Sequence, residues 1–364
     1  SLIGSNHMGI EITGWGKCTP PATLTNEDLE SFLDTSDEWI TSRTGVKERK
    51  ISHVGLSDLG TVAAKRALAS ANKSPEDIDA VIMATCTPEY LVPSTASRIQ
   101  ENIGNNGAAA FDINSACTGF VYGLTTAYSL VKSGMMKNIL LVGAEIVTFY
   151  VDYTQRDIAV LFGDGAAAVV IEEVDGDSKM HSSKLGCDPT LGEALILNNF
   201  GTSMEIKDPK KENNILGIQF QGKEIFKNAV KSMSQYATEV IEEANLTIDD
   251  IDVCIPHQAN LRILEATAKR CGLPMEKMII NVEKYGNTSA ASIPIALTEA
   301  LEEKKIKSNA KILFLAFGGG LTCAASIIDW GSRTEHLKTS DASLPECTES
   351  ALEILRRLAV QQSL

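Results

Sequence analysis

A cysteine between a predicted strand and a predicted helix is the first candidate for chemistry in this chain. The apolar run 109–113 predicts a strand and a helical pattern begins at Phe120, so Cys117 falls at the turn between them. Unpaired amide groups and the helix dipole at such an N-terminus favour the thiolate, which is the nucleophilic form of cysteine. A small residue buried by packing would fit the same position, so Cys117 alone does not decide between the two interpretations.

Three further segments carry candidate residues at the ends of predicted strands or in turns. His257 follows the strand pattern at 253–256. Asn287 stands in the turn sequence Gly-Asn-Thr-Ser, and three glycines at 318–320 follow another strand. Each has an ordinary explanation alone: a solvated histidine, a turn asparagine and a tight turn. Because open α/β sheets gather their sites at strand ends, the four segments together predict an acyl-transfer site.

The composition describes a globular chain with an acidic surface. Hydrophobic residues make up 44% of the 364 residues, and no stretch approaches the ~20 apolar residues that a membrane span needs. The formal net charge of −14 argues against nucleic acid or an anionic membrane as a general partner, because phosphates would be repelled. An acidic partner can therefore dock only on a local basic patch.

The cysteines are scattered, without a CxxC pair or a Cys/His cluster at metal-ligand spacing. They are Cys18, Cys86, Cys117, Cys187, Cys254, Cys271, Cys323 and Cys347. This pattern predicts no metal site, and it predicts reduced thiols packed in the core at every position except Cys117. Reduced thiols indicate a cytoplasmic protein.

An internal repeat organises the chain into two α/β halves. Asp77-Ile78-Asp79 matches Asp250-Ile251-Asp252, and the strand pattern beginning at Ile139 matches the one at Ile312. Both matches have the same offset of 173 residues (250 − 77 and 312 − 139). Helical patterns at 57–72 and 224–244 precede the corresponding strands. Duplicated α/β units of this kind predict two similar halves packed together.

The repeat predicts a domain organisation with five parts. These are a tag remnant at 1–8, an N-terminal half at 9–180, an irregular connecting or lid region at 181–214, a C-terminal half at 215–330 and a tail at 331–364. In the tail, an amphipathic helix is predicted with Leu352, Leu355, Leu358 and Ala359 on one side. The tail packs on the body, mediates assembly or stays mobile, and the sequence does not choose among these.

Six segments resemble motifs of the β-ketoacyl-acyl carrier protein synthase III family of the thiolase superfamily, in the family's order across about residues 9–330. They are TSDEWITSRTGVKERK (35–50), INSACTGF (113–120), LFGDGAAAVV (161–170), IPHQANLRI (255–263), YGNTSAASIP (285–294) and AFGGGLT (316–322). The resemblance implies a thiolase-type fold of duplicated βαβαβαββ halves in five αβαβα layers. That fold agrees with the internal repeat.

The resemblance also implies a reaction and its residues. Cys117 matches the nucleophile that accepts an acyl group from acyl-CoA. His257 and Asn287 match the pair that hydrogen-bonds the thioester carbonyl of malonyl-acyl carrier protein while CO2 leaves. The backbone N–H groups of Cys117 and Gly319 match the oxyanion hole. The expected product is a 3-oxoacyl-acyl carrier protein that initiates fatty acid synthesis, with coenzyme A thioesters as substrates and no cofactor.

Further positions match the family's binding surfaces. Trp39 and Arg156 are similar to residues that sandwich the adenine of coenzyme A, Arg43 to a nucleotide contact and Asn260 to a pantetheine contact. A basic patch for the acidic carrier protein is expected on four side chains. They are Lys227, Arg262, Lys269 and Arg270. The resemblance implies a homodimer, since a neighbouring subunit contributes to the acyl pocket.

Two departures from the family pattern stand out. Val92 falls where the family often carries a bulkier residue that reaches into the partner's acyl pocket, and the smaller side chain suggests primers longer than acetyl. The tail at 331–364 has no counterpart in the family pattern.

Alternative functions share single features with this chain. The Cys, His, Asn order also occurs in papain-like proteases, and the 140 residues from Cys117 to His257 fit their spacing, but the papain-type flank is absent. A reversible thiolase would need a second active cysteine, for which Cys323 is the nearest candidate, yet the Asn287 motif favours decarboxylation. A hydroxymethylglutaryl-type synthase would need a catalytic glutamate early in the chain, and the sequence offers no convincing candidate. The intact set of Cys117, His257 and Asn287 argues against a non-catalytic carrier-protein scaffold, whereas a specialised polyketide or signalling enzyme stays open.

Overall fold

The computed structural model describes residues 7–198, 200–202 and 217–358. Its helices are α1 (Asn26–Glu30), α2 (Asp37–Thr44), α3 (Leu56–Ser70), α4 (Thr95–Ile103), α5 (Gly119–Lys132), α6 (Arg156–Ala159), α7 (Gly222–Glu243), α8 (Leu261–Cys271), α9 (Val282–Tyr285), α10 (Ser292–Glu302) and α11 (Ala351–Leu358). Its strands are β1 (Met8–Cys18), β2 (Ala22–Thr25), β3 (Glu48–Ile51), β4 (Ala80–Ala84), β5 (Ala109–Ile113), β6 (Asn138–Ile146), β7 (Asp164–Asp175), β8 (Met180–Cys187), β9 (Leu195–Asn198), β10 (Gly217–Phe220), β11 (Val253–Pro256), β12 (Lys311–Gly318) and β13 (Thr322–Asp329).

Two sheets repeat the same topology. The first has the order β1-β7-β6-β4-β5, with β6, β4 and β5 parallel and β7 antiparallel to both of its neighbours. The second has the order β8-β13-β12-β11, in which only β11 and β12 are parallel. A single parallel bridge between Cys254 and Met278 stands at the edge that β5 occupies in the first sheet. The predicted duplication is thereby confirmed.

Helices cover and separate the sheets in five layers. Helices α3 and α4 pack on the outer face of the first sheet, through residues such as Leu59 and Ile99. The central layer is α5 and α10, whose Leu124 and Leu297 meet strands of both sheets in one cluster. Helices α7 and α8 cover the second sheet, with Met233 in that contact. The αβαβα architecture of a thiolase-type fold is confirmed.

The strands are buried because helices lie on both faces of each sheet. All five residues of β4 are buried, in keeping with a continuous apolar run in a parallel strand covered on both sides. In α7, Ala229, Met233 and Ala237 are buried along one face as their four-residue spacing predicts, while Ile225 at the start is half-buried.

The region 181–214 corrects the sequence prediction of an irregular connection. Strand β8 at 180–187 is the edge strand of the second sheet, paired with β13, so that sheet begins before residue 215. Its polar sequence follows from its edge position, since Ser182 alone of its eight residues is buried. Strand β9 pairs with β10 in a separate two-stranded ribbon. The remainder of the predicted lid, 199 and 203–214, lies outside the described residues.

The ends of the chain are also partly described. Met8, assigned to a tag remnant, belongs to β1, and residues 1–6 lie outside the description. The tail packs on the body: the backbone N–H of Leu337 donates to the Ser70 carbonyl at 3.0 Å, and Ile354 is fully buried. The buried face of α11 is Ala351, Ile354 and Leu355, whereas Leu352 of the predicted face is half-buried. The predicted Leu358 side chain and Ala359 lie outside the description.

A helix that spans a membrane needs about 20 consecutive, mostly apolar residues. Among the described residues, no helix is both long enough and apolar enough to cross a bilayer.

Candidate active site

Cys117 sits on a strained elbow between β5 and α5. Ala116 before it has φ = 53°, a left-handed conformation that costs a residue with a Cβ about 1 kcal/mol or more. Residues Ala116–Thr118 form a 3-10 turn that runs directly into α5. The elbow therefore presents Cys117 at the N-terminal end of a helix, as the sequence predicted.

The glycine loop after β12 approaches the elbow closely. A Cβ on Gly318 would lie 2.7 Å from both the Cβ and the backbone nitrogen of Cys117, so only glycine fits. The hydroxyls of Thr118 and Thr322 lie 3.0 Å apart and join the two segments. Gly319, which follows Gly318 in the loop, lies beside Ala116.

Asn287 lies in a turn that the first half of the molecule holds by its backbone. Its N–H donates to the Leu161 carbonyl at 2.8 Å, and its carbonyl accepts from the Gly163 N–H at 3.1 Å. Its side-chain Oδ1 accepts from the N–H of Ser289 at 2.8 Å. With Oδ1 engaged, the amide nitrogen is the group left to donate into the cavity.

A buried arginine supports the segment that holds Asn287. Arg49 is fully buried, and its guanidinium donates to the Val160 carbonyl at 2.6 Å and to Asn26 Oδ1 at 2.9 Å. Val160 directly precedes Leu161, whose carbonyl accepts from the Asn287 N–H. Burial lowers the pKa of Arg49 to about 10. This support could not be foreseen from spacing, because Arg49 lies 238 positions from Asn287 (287 − 49).

His257 follows β11 and is 1% exposed. Its Nδ1 lies 2.6 Å from the hydroxyl of Ser292, the first residue of α10. Burial lowers the pKa of His257 to about 3, so the imidazole is neutral at physiological pH. The sequence patterns did not mark Ser292 as a candidate functional residue. Because Ser292 lies five residues after Asn287, its contact with His257 connects the histidine to the turn that holds Asn287.

One large cavity joins the candidate residues. Its volume is about 1120 Å³, and its walls include Cys117, Asn287 and Gly319. His257 lies buried against Ser292, on the helix that begins just after the Asn287 turn. The structure thus brings the predicted nucleophile, the predicted amide donor and the glycine loop to the same space, with the neutral imidazole packed on the same helix start.

The prediction that Cys117 is held as a thiolate is wrong. Burial raises the pKa of the Cys117 thiol to about 12, and the hydroxyl of Ser289 lowers this pKa only in part. The buried carboxylate of Glu145 raises it further. Desolvation therefore outweighs the helix N-terminus, and the thiol is protonated at neutral pH.

The raised pKa of Cys117 predicts the pH dependence of its alkylation. Since only the thiolate reacts, the rate of carbamidomethylation by iodoacetamide is expected to rise about tenfold per pH unit from about pH 7 to 9 without levelling off. The measurement is intact mass against time at each pH, with peptide mapping of Cys117. A plateau near pH 7 would show that the thiolate already predominates there.

Three of the four residues matched to coenzyme A contacts lie on the wall of the cavity. Trp39, Arg43 and Asn260 line it. The Arg156 guanidinium lies 4.2 Å from the centre of the Trp39 ring, and that of Arg43 lies 4.8 Å from it. The 4.2 Å spacing leaves no room for a base between Trp39 and Arg156. A sandwiched adenine therefore requires Arg156 to move away from the ring.

The four residues of the predicted basic patch are exposed on two neighbouring helices. Lys227 lies on α7, and Arg262, Lys269 and Arg270 lie on α8. Arg262 also lines the cavity and donates to the Ser42 carbonyl at 3.0 Å. Val92, in contrast, is 83% exposed on the loop between β4 and α4.

Apolar residues that the sequence patterns did not reveal form part of the cavity wall. They come from the ribbon of β9 and β10 and from the start of α7. They are Leu195, Ile196, Leu197, Ile218, Phe220, Ile225 and Phe226. The strands β9 and β10 have only four residues each, and the polar sequence around them obscured their pattern.

Four cysteines depart from the expected burial in the core. Cys86 lines the cavity and donates from its thiol to Glu145 Oε2 at 3.0 Å, and Cys187 is exposed. Cys271 and Cys347 are half-buried against the core. No group of histidine, cysteine and acidic side chains among the described residues could hold a metal ion.

Comparison with known proteins agrees with this arrangement. Residues 111–189 match the family model for 3-oxoacyl-[acyl-carrier-protein] synthase III, and residues 241–330 match the model for its C-terminal part. A relative from Vibrio vulnificus, the β-ketoacyl-[acyl-carrier-protein] synthase III 2, is 52% identical over 345 residues, which is 95% of each chain. The chain belongs to the 3-oxoacyl-acyl-carrier-protein synthase III family. It is therefore an acyl-transferring condensing enzyme by family.

Solved structures of the family share the fold. The 3-oxoacyl-[acyl-carrier-protein] synthase III of Aquifex aeolicus is 44% identical, has a TM-score of 0.83, and covers 88% of this chain and all of its own. The priming β-ketosynthase of the R1128 polyketide pathway is 30% identical, with a TM-score of 0.84 over 91% of this chain and 99% of its own. Membership in a family of condensing enzymes disfavours the protease and the inert scaffold.

Proposed function

We propose that this protein transfers an acyl group from acyl-CoA to Cys117 and condenses it with malonyl-acyl carrier protein, giving a 3-oxoacyl-acyl carrier protein that initiates fatty acid synthesis. The observation that carries the proposal is the meeting of Cys117, Asn287 and Gly319 on one cavity wall in a member of this family. The eight unpaired cysteines support a reducing, cytoplasmic compartment.

In the first half-reaction, the Cys117 sulfur attacks the thioester carbonyl carbon of acyl-CoA. Negative charge develops on the carbonyl oxygen, and the backbone N–H groups of Cys117 and Gly319 are the proposed donors to it. Collapse of the intermediate breaks the bond to coenzyme A, which leaves with the thiol proton. The raised pKa of Cys117 means that this proton must be lost as the carbon–sulfur bond forms.

In the second half-reaction, His257 and Asn287 are the proposed donors to the thioester oxygen of the malonyl group. Decarboxylation leaves an enolate whose negative charge rests on that oxygen, and neutral donors stabilise it. The enolate carbon attacks the acyl carbon on Cys117, and the cysteine sulfur leaves. The lowered pKa of His257 suits this role, because the ring is neutral and needs no proton change.

The function is tested by mixing the protein with a panel of acyl-CoAs and measuring its intact mass. We expect a stable adduct on Cys117 whose mass identifies the primer, and its discharge on addition of malonyl-acyl carrier protein. Failure of every acyl-CoA from acetyl to octanoyl to form an adduct would contradict the proposal.

Longer primers than acetyl are a second proposal, which rests on the small Val92 and on the apolar part of the cavity wall. We expect turnover with octanoyl-CoA to exceed turnover with acetyl-CoA, and Val92→Phe to reverse the order by filling the pocket of the partner subunit. Strict acetyl preference in the unchanged protein would end this proposal.

Carrier-protein docking on α7 and α8 is proposed from their exposed basic side chains. Reversing two charges with Lys269→Glu and Arg270→Glu is expected to raise the KM for malonyl-acyl carrier protein about tenfold, because opposite charges steer association. Acylation by acyl-CoA should not change, and the difference should shrink in high salt. The control is Lys65→Glu with Lys307→Glu, two exposed lysines on other surfaces. Equal KM values for the two double variants would contradict the docking site.

We also propose a homodimer. Strand β5 is the edge of the first sheet and its residues are exposed or half-buried, so it can pair with a second copy. Leu91 and Val92 are 94% and 83% exposed on the loop beside α4. Such exposure in a single protomer is expected of residues that are buried in a partner subunit.

A further inference from the structure

The hydrogen bonds around Ser292 define where the proton of the neutral His257 ring lies. The backbone N–H of Gln258 donates to the Ser292 oxygen at 3.2 Å, so this oxygen already accepts one hydrogen bond. The hydroxyl hydrogen then needs an acceptor. Among the described residues, the acceptor within reach is His257 Nδ1, at 2.6 Å.

A hydroxyl that donates to Nδ1 requires that nitrogen to carry a lone pair. In a neutral imidazole the other nitrogen then bears the hydrogen, so Nε2 is a donor. His257 and Ser292 are both buried, so solvent does not compete for the bond. The lowered pKa of His257 agrees with a ring that keeps one proton throughout the neutral range.

We propose that Ser292 is a positioning residue that fixes His257 as the Nε2–H tautomer and so aims an N–H donor at the substrate thioester. The proposal rests on the proposed function for the identity of the acceptor, but not for the tautomer itself. Gln258 fixes the loop that carries His257. Its side chain donates to the carbonyls of Pro256 and Ile279, both at 2.9 Å.

Ser292→Ala is the test, with Thr298→Ala as its matched control. Thr298 is a buried hydroxyl on the same helix whose hydrogen bond, 2.8 Å to the Pro294 carbonyl, stays within α10. We expect Ser292→Ala to lower malonyl-acyl carrier protein decarboxylation about 10- to 100-fold with little change in KM, since a misplaced group can cost about 10² in rate. Acylation of Cys117 should continue, and Thr298→Ala should behave as the unchanged protein.

A spectroscopic readout separates this inference from the proposed function. In protein labelled with ¹⁵N-histidine, with His257 assigned through His257→Asn, we expect Nε2 to carry the hydrogen and Nδ1 to show the shift of a hydrogen-bonded acceptor. In Ser292→Ala, the Nδ1 shift should move and the two tautomers should exchange. A hydrogen on Nδ1 in the unchanged protein, or identical spectra in both, would overturn the inference whether or not condensation is observed.

Discussion

Replacing Cys117 with alanine is expected to abolish acyl-enzyme formation and to lower condensation at least about 10⁴-fold. The sulfur is the proposed acyl acceptor, and removal of a covalent nucleophile leaves only binding and the donors. The change removes one atom from a site where Gly318 is in close contact, so no new clash arises. The measurement is intact mass after mixing with acyl-CoA, together with the rate of 3-oxoacyl product formation.

The control for Cys117 is Cys271→Ala, a half-buried thiol at the end of α8. It should form the adduct as the unchanged protein does. An adduct of the same mass on Cys117→Ala would show that another thiol accepts the acyl group. Cys86 would then be the first candidate, because it lines the same cavity.

Replacing Asn287 with alanine is expected to lower decarboxylation of malonyl-acyl carrier protein about 10²- to 10³-fold, the range for loss of one preorganised donor. Acylation of Cys117 uses backbone donors and should remain close to that of the unchanged protein. The ratio of the two half-reactions is therefore the informative quantity. Rapid-quench mass spectrometry measures the first, and CO2 release measures the second.

Asn105→Ala is the matched control for Asn287. Both asparagines are 8% exposed, and the Asn105 side chain donates to the carbonyls of Pro75 and Ile78 outside the cavity. It is expected to cost stability without changing the ratio of half-reactions. Equal losses in both half-reactions of Asn287→Ala would indicate general disruption of the site instead of a donor specific to the second step.

The sequence was sufficient to predict the repeat and the convergence of strand ends. Cys117 follows β5, and the glycines follow the end of β12. The two halves are related in the sequence alone by matches that share one offset. Strand ends can be predicted because hydrophobic periodicity marks them locally. The five layers followed from the resemblance, since the pattern within either half does not specify which faces it buries.

The features that escaped prediction depend on neighbours distant in sequence. The protonation of Cys117 is decided by burial, which the local helix start cannot reveal. Strand β8 has the polar pattern of an edge, which resembles a loop when its partner β13 is unknown. Arg49 and Ser292 each act through a contact with another segment, and no spacing rule points to either.

The ribbon of β9 and β10 stands apart from both sheets, although it supplies an apolar part of the cavity wall. Substitutions in Leu197 or Ile218 can therefore reshape the cavity proposed to bind the acyl group, while the hydrogen-bonded sheets that carry Cys117 and His257 stay intact. Evolution can in this way retune which fatty acyl group a condensing enzyme accepts without rebuilding its reaction centre. The residues that select the acyl group and the residues that carry out the reaction then lie on separate segments of one chain, so each set can change independently of the other.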